Sequence, residues 1–238
     1  MKSQTMPVLI VLAGGLGTRL KSVVSDQPKI LAPIGEHPYL YHLLSWAESK
    51  GVSHVHLCLG YLAKQVIDWV QDFNSSLKIT WQVEGRQLGT GGAVREALSH
   101  FDICYYNEVL VCNGDTFIDF NMPEFLHLSR MSGGGMLTTL VEDSARYGTV
   151  KKDEYNNLNQ LIEKSGLHQS GEVNAGWYYF SLPHINRLKK SKAVSLEKDY
   201  LMDSNTLPIT CVCKGENFLD FGTPDSYKVA QSLFKEHI

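Results

Sequence analysis

The sequence predicts an α/β protein built on a mixed, mostly parallel sheet flanked by helices on both faces. Three observations carry that expectation. Short β-rich runs alternate with helical stretches through the first half of the chain. The first of these runs opens directly into a glycine-rich segment, Gly14-Gly15-Leu16-Gly17. The 238 residues, 43% hydrophobic and 20% charged, suffice to bury a sizeable core.

Val8–Ala13 is a continuous apolar run and reads as a buried strand. Tyr39–Lys50 places Leu40, Leu43, Leu44 and Ala47 on one helical face, and His54–Leu59 reads as a second strand. Helical spacing returns over Leu62–Phe73 through Val66, Ile67 and Val70. Leu77–Val83 is a third strand, Gly91–Ser99 a helix and Val109–Cys112 a fourth strand. Beyond about residue 135 the pattern changes to shorter strands: Met136–Val141, Tyr147–Lys151, Leu158–Ile162 and Asn174–Phe180. Ser132-Gly133-Gly134-Gly135 reads as a flexible loop, and Ile185–Lys190 and Ser195–Met202 as helical pieces. Strands near Thr210–Lys214 and Phe218–Asp220 precede a closing helix, Asp225–Lys235, with Thr223 suited to its N-cap and Pro224 to its first turn. Trp69 and Trp81 sit in apolar patterns and read as core. No repeat, low-complexity tract or linker interrupts the chain, so a single domain over 1–238 is expected.

A formal charge of -3 argues against general nucleic-acid binding, which normally needs a basic excess, so any phosphate site must be local. The five cysteines, Cys58, Cys104, Cys112, Cys211 and Cys213, are odd in number and lack CxxC spacing. Reduced, buried thiols are expected rather than a disulfide framework. Cys211 with Cys213, and His54 with His56, alternate along strands, and neither pair has the partner ligands that a metal site needs. The apolar runs are too short to cross a membrane, and the first is followed by glycines and an arginine rather than a cleavage signal. A cytoplasmic location without membrane association is expected. Monomer and homodimer are both left open.

The strongest local signal is Leu12-Ala13-Gly14-Gly15-Leu16-Gly17-Thr18-Arg19-Leu20, directly after the first strand. Glycines let backbone N–H groups approach an anion closely, and Arg19 adds a planar cation suited to phosphate oxygens. The loop is not a Walker loop, because GxxxxGK[ST] is absent. Nor is it a dinucleotide fingerprint: Leu20 stands where the third glycine would be, and Gly60-Tyr61 ends the second strand where an acid would be wanted. Pro28-Lys29 supplies a second cation ten positions beyond Arg19.

Leu12–Leu20 followed by Pro28-Lys29 resembles the opening of the sugar-nucleotide pyrophosphorylases, the nucleoside-diphosphate-sugar synthase family. Further blocks match in order and extend the resemblance from about Val8 to about Lys235. Leu88-Gly89-Thr90-Gly91-Gly92 is similar to the family's nucleotide-contacting turn, and Val111-Cys112-Asn113-Gly114-Asp115-Thr116 to its Gly-Asp metal motif. Tyr147-Gly148, Glu163-Lys164, Val173-Asn174-Ala175-Gly176 and Leu219-Asp220-Phe221-Gly222-Thr223-Pro224 match its sugar and second metal positions. The resemblance implies a Rossmann-like, glycosyltransferase-A-like fold, with a nucleotide-binding half over about 1–135 and a sugar-binding lobe over about 136–238. It implies nucleotide contacts from Leu12, Ala13, Gly14, Gly15, Gly17, Thr18, Glu84, Gly89, Thr90 and Gly114. It implies sugar contacts from Gly148, Glu163, Lys164, Asn174, Gly176 and Glu197.

The reaction implied is in-line attack by a sugar 1-phosphate oxygen on the α-phosphorus of a nucleoside triphosphate. Both partners are anions, so they must be neutralised and aligned. Two carboxylates at strand ends, Asp115 and Asp220, suit Mg²⁺, which takes its remaining ligands from water and phosphate. Arg19 and Lys29 suit the β- and γ-phosphates, and Lys164, by resemblance, the attacking sugar phosphate. A phosphate oxygen is already ionised at neutral pH, so no general base is required. Taken singly, Asp115 also fits a turn cap, Asp220 a turn former before Gly222, and Glu163-Lys164 a solvated pair.

Glu84 lies five residues before Gly89, where thymidylyl and many uridylyl relatives carry a glutamine. An ionised carboxylate accepts two hydrogen bonds from guanine N1–H and N2–H₂ but cannot pair with uracil O4, which favours GTP. Glu84 also fits an exposed loop acid. Ser22–Asp26, Asn113–Phe117 and Arg146–Val150 most resemble the D-glycero-α-D-manno-heptose 1-phosphate guanylyltransferases, and Glu197-Lys198-Asp199 fits the manno-type branch, although Ser195 also suits a plain helix cap. Ile30 and Phe221 depart from the family pattern, a proline and a smaller residue respectively. Mannose 1-phosphate with GTP, glucose 1-phosphate with UTP or dTTP, and an inactive sugar-nucleotide sensor are the alternatives left open.

Overall fold

The computed structural model describes residues 6–17, 20, 23, 24, 26–100, 106–162, 166, 168–203, 205–213 and 215–237, the last five by backbone alone. In chain order the strands and helices are β1 (Val8–Ala13), β2 (Pro33–Ile34), β3 (His37–Pro38), α1 (Tyr39–Ser49), β4 (His54–Leu59), α2 (Ala63–Asp72) and β5 (Lys78–Val83). There follow α3 (Gly89–His100), β6 (Glu108–Asn113), β7 (Thr116–Phe120), α4 (Met122–Ser132), β8 (Gly134–Val141), β9 (Thr149–Lys152), β10 (Leu158–Ile162) and β11 (Gly171–Ser181). The chain closes with α5 (Leu182–Lys190), a π-helical turn (Leu196–Leu201), β12 (Thr210–Cys213), β13 (Gly215–Asp220) and α6 (Pro224–His237). The α/β class with a mixed sheet is as expected.

Contacts divide the chain into two compact units. The first comprises Met1–Gln87, Asn113–Phe117 and Leu219–Ile238; the second comprises Leu88–Cys112 and Ile118–Phe218.

In the first unit β1, β4 and β5 form a parallel sheet, with Leu9 opposite Val55 and Val55 opposite Ile79. Val8–Val11 and every residue of β4 are buried, as continuous apolar runs of a covered parallel sheet should be. On β5 the alternation runs opposite to the expectation for Trp81. Gln82 is buried because it bonds His56 Nε2 at 3.2 Å, and Thr80 Oγ1 is shared by His54 and His56 at 2.9 Å each. A strand presents alternate residues to opposite faces, so Trp81 and Val83 point outward and Trp81 is 37% exposed. Trp69 is half-buried and stacks on Phe73. Neither tryptophan is core. The β2–β3 ribbon receives α6, whose Tyr227 hydroxyl and Gln231 amide both donate to the Pro33 carbonyl.

The second unit is organised by β11, antiparallel to β6, β8 and β9, with β12 parallel to β8. Trp177, Tyr178, Tyr179 and Phe180 are buried along it. The flexible loop expected at Ser132–Gly135 does not exist as such. Ser132 ends α4, Gly133 caps it with φ 84°, and Gly134 and Gly135 are buried in β8. The glycines are there for space: a Cβ at Gly135 would overlap the Ser129 side chain, and one at Gly134 would meet His184 Nε2 at 2.5 Å. Helix α4, not among the elements expected from the sequence, buries Met122, Phe125, Leu126 and Ser129 on one face; Asn121 caps it by accepting from Glu124 N–H at 3.1 Å.

Cys58, Cys112 and Cys211 are buried free thiols and Cys213 is half-buried, as expected; Cys104 lies outside the described residues. Burial pushes the Cys211 thiol up to about 12, so it carries no thiolate at neutral pH. Among the described residues no helix is long and apolar enough to cross a membrane.

Candidate active site

Strand β1 ends at Ala13 and delivers Gly14, Gly15 and Gly17 at its carboxyl end, where ligands of parallel sheets collect. Gly17 has φ 57°, in the left-handed region that only glycine enters at little cost. Its position fixes the loop beside Lys29: a Cβ on Gly17 would lie 3.4 Å from Lys29 Cβ. Thr18 and Arg19 lie outside the described residues. Glu84 follows β5 and is tied to the end of β4 by its N–H donating to the Leu59 carbonyl at 2.8 Å. Its carboxylate sits against the glycine loop, with Oε1 3.1 Å from where a Gly14 Cβ would stand.

Lys29 opens a 3-10 turn, Lys29–Leu31, just after Pro28, whose extended ψ of 141° turns the chain before it. Its ammonium reaches Asp115 Oδ2 at 2.5 Å. Asp115 lies in the turn after β6. Gly114 precedes it with N–H bonded to the Leu12 carbonyl at 2.8 Å, and a Cβ at Gly114 would collide with that carbonyl at 2.7 Å. Glycine is therefore required for Asp115 to sit directly beside the β1 loop. The Phe221 N–H donates to the Asp115 carbonyl at 3.3 Å, which brings Asp220, the last residue of β13, into the same neighbourhood. Asp220 Oδ1 accepts from Gly222 N–H at 2.8 Å. The first unit thus gathers Leu12, Ala13, Gly14, Glu84, Gly114, Lys29, Asp115 and Asp220.

The second unit gathers a separate polar cluster. Asn174 Nδ2 donates to the Tyr178 hydroxyl at 2.8 Å, and Tyr178 donates to Glu197 Oε1 at 3.0 Å. Glu197 Oε2 accepts from Thr90 Oγ1 at 3.0 Å and Ser195 Oγ at 3.1 Å. Thr90 in turn accepts from Leu196 N–H at 2.7 Å. Gly176, with φ 73°, sits at an irregularity in the β11–β8 register between Asn174 and Tyr178, and its N–H donates to Asn174 Oδ1 at 2.9 Å. Ser195 is also the cap it was expected to be, accepting from Lys198 N–H at 3.1 Å. Gly89 opens α3 with φ 74°, packed against the Val194 carbonyl. The expected nucleotide contact Thr90 and the expected sugar contacts Asn174, Gly176 and Glu197 therefore share one network. Gly148 precedes Thr149, which pairs with Val173 beside Asn174, and a Cβ on Gly148 would lie 3.2 Å from the Ile162 carbonyl. Glu163 and Lys164 lie outside the described residues.

Two members of these clusters were not singled out by function beforehand. Tyr178 had a usable signal, since it shares strand parity with Asn174. Phe221 stands in the sequence only as a departure from the family pattern; its ring placement against Lys29 has no sequence signature.

Residues 8–236 match the family described as nucleotidyl transferase. The chain belongs to the nucleotidyl transferase family. This nucleotidyl transferase is 33% identical to the protein in the crystal structure of HddC from Yersinia pseudotuberculosis, with a TM-score of 0.85 over 96% of this chain and 100% of that one. The same Yersinia protein has also been crystallised in complex with GMP-PN. Two curated relatives are both called D-glycero-alpha-D-manno-heptose 1-phosphate guanylyltransferase. The one from Campylobacter jejuni is 32% identical over 92% of this chain and 96% of its own length. The one from Aneurinibacillus thermoaerophilus is 29% identical over 96% and 99%. The nucleotidyl transferase is thus a sugar-1-phosphate nucleotidyltransferase.

Proposed function

We propose that this enzyme transfers the guanylyl group of GTP to D-glycero-α-D-manno-heptose 1-phosphate, giving GDP-heptose and pyrophosphate. The observation that carries the base assignment is Glu84, whose carboxylate lies against Gly14 of the glycine-rich loop. A carboxylate there accepts guanine N1–H and N2–H₂ together, which no uracil or thymine edge can offer. The names of the relatives at about this level of identity support the same pairing.

In the proposed reaction a sugar-phosphate oxygen attacks the α-phosphorus in line, the new P–O bond forms, and the α–β bridging P–O bond breaks to release pyrophosphate. Lys29 and Arg19 hold the β- and γ-phosphates and stabilise the charge that develops on the leaving group. Lys164 holds the attacking phosphate. Asn174, Gly176 and Glu197 line the sugar, with Gly148 and Glu163, while Thr90 contacts the nucleotide. Orientation and charge neutralisation do the chemistry, so no side chain need take a proton.

Asp115 and Asp220 would hold Mg²⁺. Their hard oxygen donors fit that ion, and the Asp115 carboxylate already draws a cation to itself in the form of Lys29. Among the described residues no group of three or more histidine, cysteine or acidic side chains could hold a metal. Two protein carboxylates with the rest of the shell from water and phosphate is the pattern Mg²⁺ favours. When bound, the ion would neutralise phosphate oxygens around the reacting phosphorus.

The test is pyrophosphate release across ATP, GTP, CTP, UTP and dTTP with heptose, mannose and glucose 1-phosphates, each with Mg²⁺. Fastest turnover with GTP and the heptose phosphate is expected. Fastest turnover with another pair overturns the specificity, and silence across the grid from folded protein points first to an untested sugar and second to the inactive sensor.

A further inference from the structure

The Lys29 ammonium lies between a carboxylate and an aromatic ring. On one side is Asp115 Oδ2 at 2.5 Å; on the other is the Phe221 ring, whose centroid is 5.3 Å from Nζ. Phe221 is fully buried, so the ring is not a mobile surface group. It packs at 4.5 Å between centroids on Tyr39, whose hydroxyl donates to the Thr116 carbonyl at 2.7 Å. Thr116 Oγ1 reaches back to Asp115 Oδ1 at 3.2 Å, and the Phe221 N–H donates to the Asp115 carbonyl at 3.3 Å. These contacts form a closed circuit: Lys29, Asp115, Thr116, Tyr39, Phe221 and back to Lys29.

A lysine side chain is long and rich in rotamers, and holding its charge at one point is entropically costly. Lys29 is also largely withdrawn from water, at 14% side-chain exposure. An aromatic face compensates part of the lost hydration through its quadrupole, and it restricts where the ammonium can go. An aliphatic side chain of similar bulk would fill the space without that attraction.

We propose that Phe221 is a positioning residue for nucleotidyl transfer: its ring holds the Lys29 ammonium at the phosphate-binding position, while its backbone fixes the neighbouring Asp115. The role rests on the reading of Lys29 as a phosphate ligand. Phe221 touches no reacting atom in this account and acts only through Lys29 and Asp115. Its effect therefore falls on the triphosphate side of the reaction and leaves sugar-phosphate binding alone.

Fluorinated phenylalanines give the test, because successive fluorines drain the ring quadrupole with little change of shape. Phenylalanine, 4-fluoro-, 3,5-difluoro- and 3,4,5-trifluorophenylalanine are incorporated at position 221 of the full chain. KM and kcat are measured for the nucleotide–sugar pair that turns over fastest, together with the thermal midpoint. The expected result is a graded fall in kcat/KM for the triphosphate, reaching about three- to tenfold at the trifluoro variant. The sugar-phosphate KM and the midpoint should stay level. Phe221→Leu should fall at the bottom of the series, but the fluorine trend decides the matter even where that variant fails to fold. A flat series, or one in which activity only follows the melting midpoint, overturns the proposal. Lys29→Gln is run in parallel. If it keeps wild-type activity the site reading itself fails, whereas an inactive Lys29→Gln with a flat fluorine series removes the role of Phe221 alone.

Discussion

Lys29 and Asp115, separated by 86 positions in the chain, are joined by a 2.5 Å ion pair in which the carboxylate keeps 39% of its side chain exposed. The residue proposed to bind phosphate and the residue proposed to bind metal thus neutralise one another when neither ligand is bound. The ammonium must then compete with a divalent ion for the same carboxylate.

That competition is measurable without turnover. Titrated with Mn²⁺ alone and followed by electron paramagnetic resonance, Lys29→Met should bind the ion roughly threefold more tightly than wild type, the gain expected from releasing a partly exposed pair. Equal or weaker binding would show that the pair does not oppose the metal. Adding GTP should raise Mn²⁺ affinity in wild type, because the phosphates share the ammonium's charge with Asp115 and supply further oxygen ligands to the ion.

Asp115→Asn keeps the shape of the side chain and removes its charge. Turnover should drop by at least about 100-fold, since the positive charges of the site lose their fixed counterpart. Stability should change by no more than about 1 kcal/mol, because the pair is partly open to solvent. Near-normal turnover with Mg²⁺ would remove Asp115 from the metal site.

Glu84→Gln exchanges two acceptors for one acceptor and one donor. The ratio of kcat/KM for GTP over UTP should fall by roughly 100-fold, as expected when buried polar groups are left mismatched to their base. An unchanged ratio would mean that the carboxylate beside Gly14 does not read the base.

Tyr178→Phe deletes the hydroxyl that links Asn174 to Glu197. The loss of its two hydrogen bonds, worth about 1 kcal/mol each, should raise the sugar-phosphate KM by roughly five- to thirtyfold. The KM for the triphosphate should hold. Equal effects on both substrates would place the network outside the sugar site.

Acid should destabilise the fold through buried histidines. Burial pushes His54 down to about 4, helped by Lys78 and His56, and pushes His184 down to about 4, helped by Arg187. Both are buried neutral, so between about 4 and the ordinary value of 6.5 the unfolded chain binds more protons than the folded one. Stability therefore rises with pH across that window and is lost as pH falls from 6.5 toward 4, each group accounting for on the order of 3 kcal/mol at most. Urea melts at several pH values should show this slope, and His54→Gln should flatten it. A slope identical in wild type and variant would assign the effect to other groups.

Much of this molecule is local and therefore legible. Val8–Ala13 and His54–Leu59 are strands with the bounds their apolar patterns predict, because burial along a single strand is written residue by residue, and Leu158–Ile162 keeps its expected bounds without a fully buried residue. The glycine-rich loop and the ordered blocks from Leu12 to Pro224 likewise stand in the sequence itself, and they were enough to indicate the family and the candidate residues Lys29, Glu84, Asp115, Asp220, Asn174 and Glu197. The rest depends on neighbours distant in the chain. Trp81 is outward because Gln82 found His56, and the glycines at 134 and 135 lie in a strand because His184 and Ser129 occupy the space beside them. The ring of Phe221 under Lys29 and the hydroxyl of Tyr178 on Glu197 are decided by packing between segments, and no periodicity along the chain encodes which ring meets which charge. Sequence by itself determined most of the element order, α4, β7 and the β2–β3 ribbon apart, and the chemical parts; tertiary structure decided which parts touch, since contact energies depend on positions that only the folded chain brings within a few ångströms of one another.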